Sequence, residues 1–415
     1  MSDRVVIVGG GVIGAMCAWY LSNEGHQITI VDRDRFGGAC SHGNCGYVCP
    51  SHALPLSRPG QIGATLKQMF KRNSSFAVKP RLNLDSLSWF WKFGRRCNQQ
   101  DMLSAARGRH ELLQSSKALY QELVSNESID CQWKEVGLLF VFDDSEGFDH
   151  YATTNELLTR EFGVSATPHA ADQLVELEPA LKSGFGGAWH YEGDCHLRPD
   201  LLMAALRREL ESRGTRFVEQ AAVEKFVSEN GVAKAIVAGD QEIEADRFVV
   251  ATGAWAPFLN SELGCRIPIE PGKGYSLTMP APTRMPKIPI IFEDSHVAVT
   301  PLESSYRIGS TMEFVGYDTT INRKRLNYLK TSVEKYLHDP YCDPIEEEWY
   351  GWRPMTWDGK PVIDVSPKMK NVWVAAGHNM LGLSMATGTG KLVCELMEGK
   401  TPHVDPSHFS IARLG

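Results

Sequence analysis

The sequence predicts an α/β protein in which a parallel-sheet domain is interleaved with an α+β domain built on a mostly antiparallel sheet. Three observations predict it. A β-branched apolar run, Val5 to Val8, leads directly into Gly9, Gly11 and Gly14 and then a helix-like segment, Ala15 to Asn23. Short apolar strands ending in glycine or small-residue turns recur near residues 31, 250 and 376, as the strands of one parallel sheet do. Residues 266–350 instead alternate strand-like segments with Pro- and Gly-rich turns.

The opening stretch, Arg4 to Asp34, is the most specific. Gly25 is placed to end the helix, and a second β-branched strand, Gln27 to Val31, ends in Asp32, 18 residues after Gly14. In a Rossmann-like βαβ unit each part has a job. Gly9 permits a tight turn, Gly11 lets a pyrophosphate approach the backbone, and Gly14 lets helix and strand pack closely. The helix N-terminus offers unpaired N–H groups to phosphates, and Asp32 can accept hydrogen bonds from ribose hydroxyls. Val12, Ile13 and Arg33 adjoin these positions as further cofactor contacts. The motif predicts a dinucleotide and does not by itself separate FAD from NAD.

At 415 residues the chain has room for two domains with substantial cores. A net charge of −7 gives no reason to expect a nucleic-acid partner. No secretory h-region precedes the first strand and no apolar run is long enough to span a bilayer. A cytoplasmic location is expected. The segment Ser86 to Arg96, with Trp89, Phe90, Trp91 and Phe93 beside Lys92, Arg95 and Arg96, has two readings. It is a helix packed on the core, or a peripheral contact with the inner face of the cell membrane. The ten cysteines sit mostly among apolar or small residues and read as reduced thiols. Cys40, His42, Cys45, Cys49 and His52 crowd one loop, but without a C-x-x-C pair no metal is expected. The loop reads instead as a cofactor contact through Ser41 and Asn44.

In chain order, Phe36 to Pro59 reads as loop and residues 62–125 mainly as helix. Residues 131–142 read as a strand pair, His150 to Phe162 as helix, and Ala170 to Leu181 as a short acidic helix. A turn at Asp194–Asp200 leads into a helix, Leu201 to Arg213. Strands follow at 216–217, 222–227, 232–238 and 242–251, the last closing on the small-residue turn Thr252-Gly253, against which a cofactor can lie, with Trp255 beside it. One amphipathic helix, Arg323 to His338, interrupts the later strands. Asn371 to Ala376 is a short buried strand leading into Gly377 and a final helix that starts near Leu381 to Ser384. The expected segments are 1–50, 191–265 and 351–415 for the cofactor domain, and 51–190 and 266–350 for the substrate domain.

Four separated motifs, in order, carry a resemblance: VVIVGGGVIGAMCAWYL, ADRFVVATGAWAP at 245–257, PGKGYSLTMP at 271–280 with GSTMEFVGYDT at 309–319, and GWRPMTWDGKPVI followed by AAGHNMLGLSMATGTGKLV. Together with GDCHLRPDLL at 193–202 they resemble the D-amino acid dehydrogenase family, within the glycine oxidase / D-amino acid oxidase superfamily of FAD enzymes. The loop SHGNCGYVCPSH departs from that pattern. The resemblance implies FAD, an adenine contact at Val223, and a loop over the flavin pyrimidine end formed by Gly377, His378, Asn379, Met380, Leu381, Gly382 and Leu383. It implies that Arg353 binds the substrate carboxylate, which suits a forked guanidinium. It also implies hydride transfer from the substrate α carbon to flavin N5, giving an imino acid and then a 2-oxo acid and ammonia. Electrons would pass to a quinone or other non-oxygen acceptor. A cyclic secondary amine such as D-proline or cis-4-hydroxy-D-proline, an O₂-using oxidase, an NAD enzyme and a non-enzymatic flavin-binding subunit are the alternatives.

Tyr275 and Tyr306 are candidates for a second hydrogen bond to the carboxylate or for a pocket wall. His42 and Tyr47, with His52 in the same loop, and His296 on the strand-like FEDSHVAVTP, are further candidates, each weighed against a packing or surface role. Lys273 could reach substrate or flavin, against a solvated lysine.

Overall fold

The computed structural model describes residues 2–60, 63, 74–79, 81, 83–125 and 128–414. Its organising element is a six-stranded sheet in the order 362–365, 372–376, 247–250, 4–8, 27–31, 216–218. All its pairings are parallel except that of Val362–Val365. Helix Val12–Asn23 covers one face and is buried along almost its whole length, which explains its uniformly apolar sequence. The final helix, Ala386–Met397, crosses it at close range. A Cβ on Gly390 would lie 2.6 Å from the Met16 backbone, so only glycine allows this approach. Helix Gln99–Val124 packs on the other side of the final helix, with Ser116 Oγ 2.7 Å from Thr387 Oγ1.

A second, larger sheet runs in the order 347–356, 269–280, 305–314, 297–301, 290–292, 138–142, 187–191, 167–170, with Phe76–Val78 beside 305–314. It is antiparallel except where 290–292 meets 138–142 and where 76–78 meets 305–314. Alternation sorts its side chains into two cores. Leu138, Phe140 and Phe142 join the cluster shared with the parallel-sheet helices. Leu139 and Val141 point to the opposite face, where Tyr275, Leu277 and Tyr306 pack under helix Arg323–Tyr336. Burial on both faces accounts for the unbroken apolar run LLFVF. A three-stranded antiparallel sheet, 223–229, 232–238 and 241–244, completes the regular structure with the pair 47–48 and 195–196.

The fold class expected from sequence is observed, and several boundaries differ. The strand expected over 242–251 is two. Gln241–Glu244 ends the three-stranded sheet and Arg247–Val250 enters the parallel one. The break falls at Ala245–Asp246, where the Asp246 carboxylate accepts the Arg4 N–H (2.8 Å) and anchors the first strand. The strand pair expected over 131–142 is one strand, Leu138–Phe142, preceded by a single bridge from Lys134 to His196. Within 62–125, helices Leu84–Arg95 and Gln99–Val124 follow an edge strand at Phe76–Val78, and residues 64–73 lie outside the described residues. The division drawn between 350 and 351 falls inside the strand Glu347–Thr356. Among the described residues no helix is long and apolar enough to cross a membrane. In helix Leu84–Arg95, Trp89 packs inward while Leu84, Leu87 and Trp91 are exposed.

The loop after Asp34 has little regular structure, only Tyr47–Val48 and a turn at Pro50–Ala53. Buried arginines hold it. Arg307 donates to the carbonyls of His42 (3.2 Å) and Asn44 (2.7 Å). Arg109 donates to those of His52 (2.8 Å), Ala53 (2.8 Å), Leu54 (3.2 Å) and Gly359 (2.8 Å). Removing either cation would strand buried carbonyl oxygens. Arg109→Ala is expected to lower unfolding stability by about 3 kcal/mol, read by urea denaturation. Arg109→Lys, lacking the fork, should recover only part of it.

Candidate active site

The carboxyl ends of strands 4–8, 27–31 and 247–250 meet the second sheet across a cavity of about 520 Å³. One end is built by the glycine turn. Gly9 has φ 108° and its N–H donates to Val31 O (2.8 Å). A Cβ on Gly14 would lie 1.9 Å from Gly9 O, so Gly14 serves packing and stands back from the cavity. A Cβ on Gly11 would meet only Ser41 Oγ, at 3.5 Å, and would otherwise point into open space. The Asp32 carboxylate accepts the N–H groups of Gly10 (2.6 Å) and Asp34 (2.7 Å), which fixes the turn. Burial raises its pKa, against the lowering effect of those two hydrogen bonds. Ser41 Oγ accepts the Val12 N–H (3.0 Å) at the helix start, and Asn44 closes its own turn on the Gly46 N–H (2.8 Å). The Arg33 guanidinium lies 4.9 Å from the Trp255 ring centre, and both line the cavity with Val223, Thr252 and Gly253. Thr252 Oγ1 is buried with no hydrogen-bond partner among the described residues.

The opposite end is closed by residues 378–384. Asn379 adopts φ 54° and ties its side chain to the Thr356 N–H (3.0 Å) and Gly377 O (2.9 Å). His378 is buried against Thr389 Oγ1 (3.0 Å), and burial pulls its pKa down to about 3, so it is neutral at physiological pH. The final helix begins at Ala386, not at Leu381–Ser384 as the sequence suggested. Residues 382–385 form turns instead. Tyr120 holds that segment through Leu383 O (2.8 Å) and Ser384 Oγ holds Tyr47 O (2.7 Å). The N–H groups of Gly382, Leu383 and Ser384 take no backbone carbonyl among the described residues. Gly377 stands behind the cavity, its Cα packed toward Thr356.

The floor between these ends is the second sheet, where three glycines leave room for larger side chains to lie flat. Gly274 pairs with Gly351, and Gly272 with Arg353. A Cβ on Gly274 would lie 2.3 Å from Arg353 Nη1, so the guanidinium rests on that glycine. Trp349 covers Gly351, and Cys45 Sγ covers Gly309. Arg353 Nη1 donates to Thr311 O (2.7 Å). That carbonyl is turned out by an irregularity in the pairing with 269–280, where Ser310 (φ 109°) and Thr311 (φ 57°) both adopt the left-handed region. Among the described residues Arg353 makes no ion pair. Burial lowers its pKa, opposed by the nearby Cys45 and Cys40 thiols, and the guanidinium remains charged. A buried-side cation with spare donors toward a cavity is a receptor for an anion.

Among the other candidates Tyr47, Tyr275 and Arg353 are brought to the cavity, and His42 and His296 are not. Tyr275 does not aim its hydroxyl there. Pleat alternation sends its ring into the core behind the sheet, and its OH donates to Glu313 Oε2 (2.9 Å). Tyr306 is buried in that same core. Tyr47 OH donates to Val299 O (2.9 Å), which makes it a wall. His42 pairs with Glu347 (2.6 Å) outside the cavity, and that hydrogen bond raises its pKa. His296 is exposed in a turn with φ 52°, not on a strand. Lys273 is buried and donates to Asp318 O and Thr320 O. Sequence reasoning missed the irregular Ser310–Thr311 pair, which has no composition signal, and it gave His52 no role of its own. Among the described residues no His, Cys, Asp and Glu group could hold a metal ion.

Residues 4–396 match the family described as DAO, FAD dependent oxidoreductase. The chain belongs to this family. It is an FAD-dependent oxidoreductase. Similar solved structures include glycine oxidase from Geobacillus kaustophilus, with 24% identity, TM-score 0.80 and 99% of each chain covered. L-proline dehydrogenase from P. horikoshii has 20% identity and TM-score 0.74 over 100% of this chain and 98% of that one. Iminodiacetate oxidase from Chelativorans sp. BNC1 has 20% identity and TM-score 0.74 over 98% of each. The FAD expected from sequence is therefore the cofactor, and the residues present fit it. Gly11 gives a Cβ-free approach, and among the described residues Thr252 Oγ1 has no hydrogen-bond partner and the N–H groups of residues 382–384 take no backbone carbonyl. Gly11→Val is expected to fold normally yet bind FAD at least about tenfold more weakly, read as the flavin-to-protein absorbance ratio. Gly14→Val should fail to yield soluble protein.

Proposed function

We propose that the protein oxidises an amino acid of D configuration at its Cα–N bond as a dehydrogenase, passing the electrons to a quinone or other non-oxygen acceptor. The observation that carries the reading is the Arg353 guanidinium. It lies on Gly274, is held by one carbonyl, is unpaired by any carboxylate among the described residues, and faces the cavity. The substrates named for the similar structures (glycine, L-proline and iminodiacetate) each carry a carboxylate on a carbon that bears the nitrogen, which a forked guanidinium would grip through two parallel hydrogen bonds. FAD, when bound, supplies the acceptor for the electron pair leaving the substrate.

The chain's own residues then position rather than react. Arg353 fixes the carboxylate, and the Thr311 carbonyl fixes Arg353 in turn. Trp349 and Tyr47 wall the cavity, limiting water around the reacting carbon. The unpaired N–H groups of residues 382–384 offer positive dipole ends to negative charge that develops on the cofactor. The D-amino acid dehydrogenase reading rests on the ordered motifs of the sequence, and a cyclic secondary amine fits the same carboxylate grip.

Arg353→Ala is expected to raise KM and lower kcat, costing about 2–5 kcal/mol in kcat/KM, while the flavin stays bound. Arg353→Lys should not restore activity, since a point charge cannot fork. Anaerobic bleaching of the flavin by D-, L- and cyclic amino acids reads the substrate class, and quinone-analogue reduction against H₂O₂ release reads the acceptor. Unchanged kinetics in Arg353→Ala would sink the assignment.

A further inference from the structure

The cavity has a second polar group that the carboxylate grip does not use. His52 lines it from the far side of the sheet floor. The floor is a transverse row in which Gly274 lies beside the Ser310 level, Gly309 pairs with Ala298, Ala298 with Ile291, and Ile291 with Phe140. Arg353 occupies the first strands of the row. The His52 ring lies 5.5 Å from the Phe140 ring, at its other end. Strands 305–314 and 138–142 are separated by two strands, so the two polar groups stand roughly 14 Å apart across the floor. Between them the floor is Ala298 and Ile291, both apolar.

The imidazole is held from behind. Its Nδ1 lies 3.1 Å from Ser51 Oγ. Ser51 is fixed twice by the buried Asp194, its N–H on Oδ1 (3.1 Å) and its Oγ on Oδ2 (2.5 Å). The backbone carbonyl of His52 is held by Arg109 (2.8 Å). With Nδ1 engaged, Nε2 is the nitrogen left for the cavity, and it has no hydrogen-bond partner among the described residues. Burial, then Arg109, pulls the His52 pKa down to about 4, so the ring is neutral at physiological pH. A neutral ring cannot pair with a second carboxylate as an ion. It can hydrogen-bond a group that both donates and accepts.

We propose that His52 reads the substrate side chain, selecting amino acids that carry a hydroxyl or carboxamide at the end distant from the carboxylate. This rests on the amino acid reading of the site, and it assigns Ser51 and Asp194 as the residues that position the ring. A site built to hydrogen-bond a substrate group discriminates strongly against the analogue lacking it, because its polar atom is then left unpaired.

The test uses the FAD-loaded enzyme and matched pairs of substrates differing by the polar group: 4-hydroxyproline against proline, homoserine against 2-aminobutyrate, glutamine against norleucine, each in both configurations where available. The wild type is expected to favour the polar member of at least one pair by tenfold or more in kcat/KM. In His52→Leu that ratio should fall at least tenfold, with the loss carried by the polar member. His52→Gln, whose amide donates and accepts, should keep part of the ratio, and Ser51→Ala should reduce it while leaving the imidazole in place. A ratio near one in the wild type, or a ratio unchanged in His52→Leu, overturns the inference while the carboxylate reading stands. An equal loss for both members of every pair also overturns it, as the mark of a structural role. If no amino acid bleaches the flavin anaerobically, the amino acid reading fails first and takes this one with it.

Discussion

The site depends on two buried guanidinium groups that donate to backbone carbonyls. Arg307 and Arg109 hold six carbonyl oxygens between them, five from the loop that follows Asp34. That loop has only scattered turn hydrogen bonds and one short strand pairing, yet it supplies Cys40, Ser41, Cys45, Tyr47 and His52 to the cavity. A buried loop with unpaired carbonyls would be costly. Pairing them with cations from a strand of the second sheet and from the long helix makes the loop a fixed wall. Arg307 also joins the two sheets, since it reaches from a strand of the second to the loop that follows a strand of the first.

A second constraint is the removal of side chains where groups must lie flat. Gly274 carries the Arg353 guanidinium, Gly351 carries the Trp349 ring, and Gly309 carries the Cys45 thiol. These positions have ordinary extended backbone, so space rather than conformation explains the glycines. At Gly9 the reason is different, since φ 108° favours glycine whatever the space. Around Arg353 the strain sits at Ser310 and Thr311, which keep positive φ without being glycine and so turn the Thr311 carbonyl to the guanidinium. A non-glycine residue in that conformation is held by its surroundings, here by pairing on both sides.

Much of the fold was legible in the sequence because its signals are local. Val5–Val8, Gly9, Gly11, Gly14 and Asp32 specify a strand, a turn, a helix and a carboxylate within one unit, and the recurring small-residue turns mark strands of the same sheet. The place of Arg353 at the cavity was legible from its motif. Where the Tyr275 hydroxyl aims was not legible, because it turns on pleat parity, and a strand's facing is set by partners far away in sequence. His296 failed for a related reason, since the hairpin places it at a tip. The final helix starts later than expected because Leu381–Met385 can satisfy local turns that composition does not distinguish from helix. The interplay of His52, Ser51 and Asp194 was out of reach, as Asp194 lies 142 residues beyond the histidine.

The central claim is that Arg353 recognises a carboxylate in the cavity beside the flavin. It is tested most directly by titrating the oxidised enzyme with an α-methylated amino acid, which has no α hydrogen to give up, and with its primary amide, following the flavin absorbance. A saturable spectral shift with the acid, absent with the amide and lost in Arg353→Ala, is the predicted result. Equal binding of acid and amide, or binding of the acid that survives Arg353→Ala, would contradict the account.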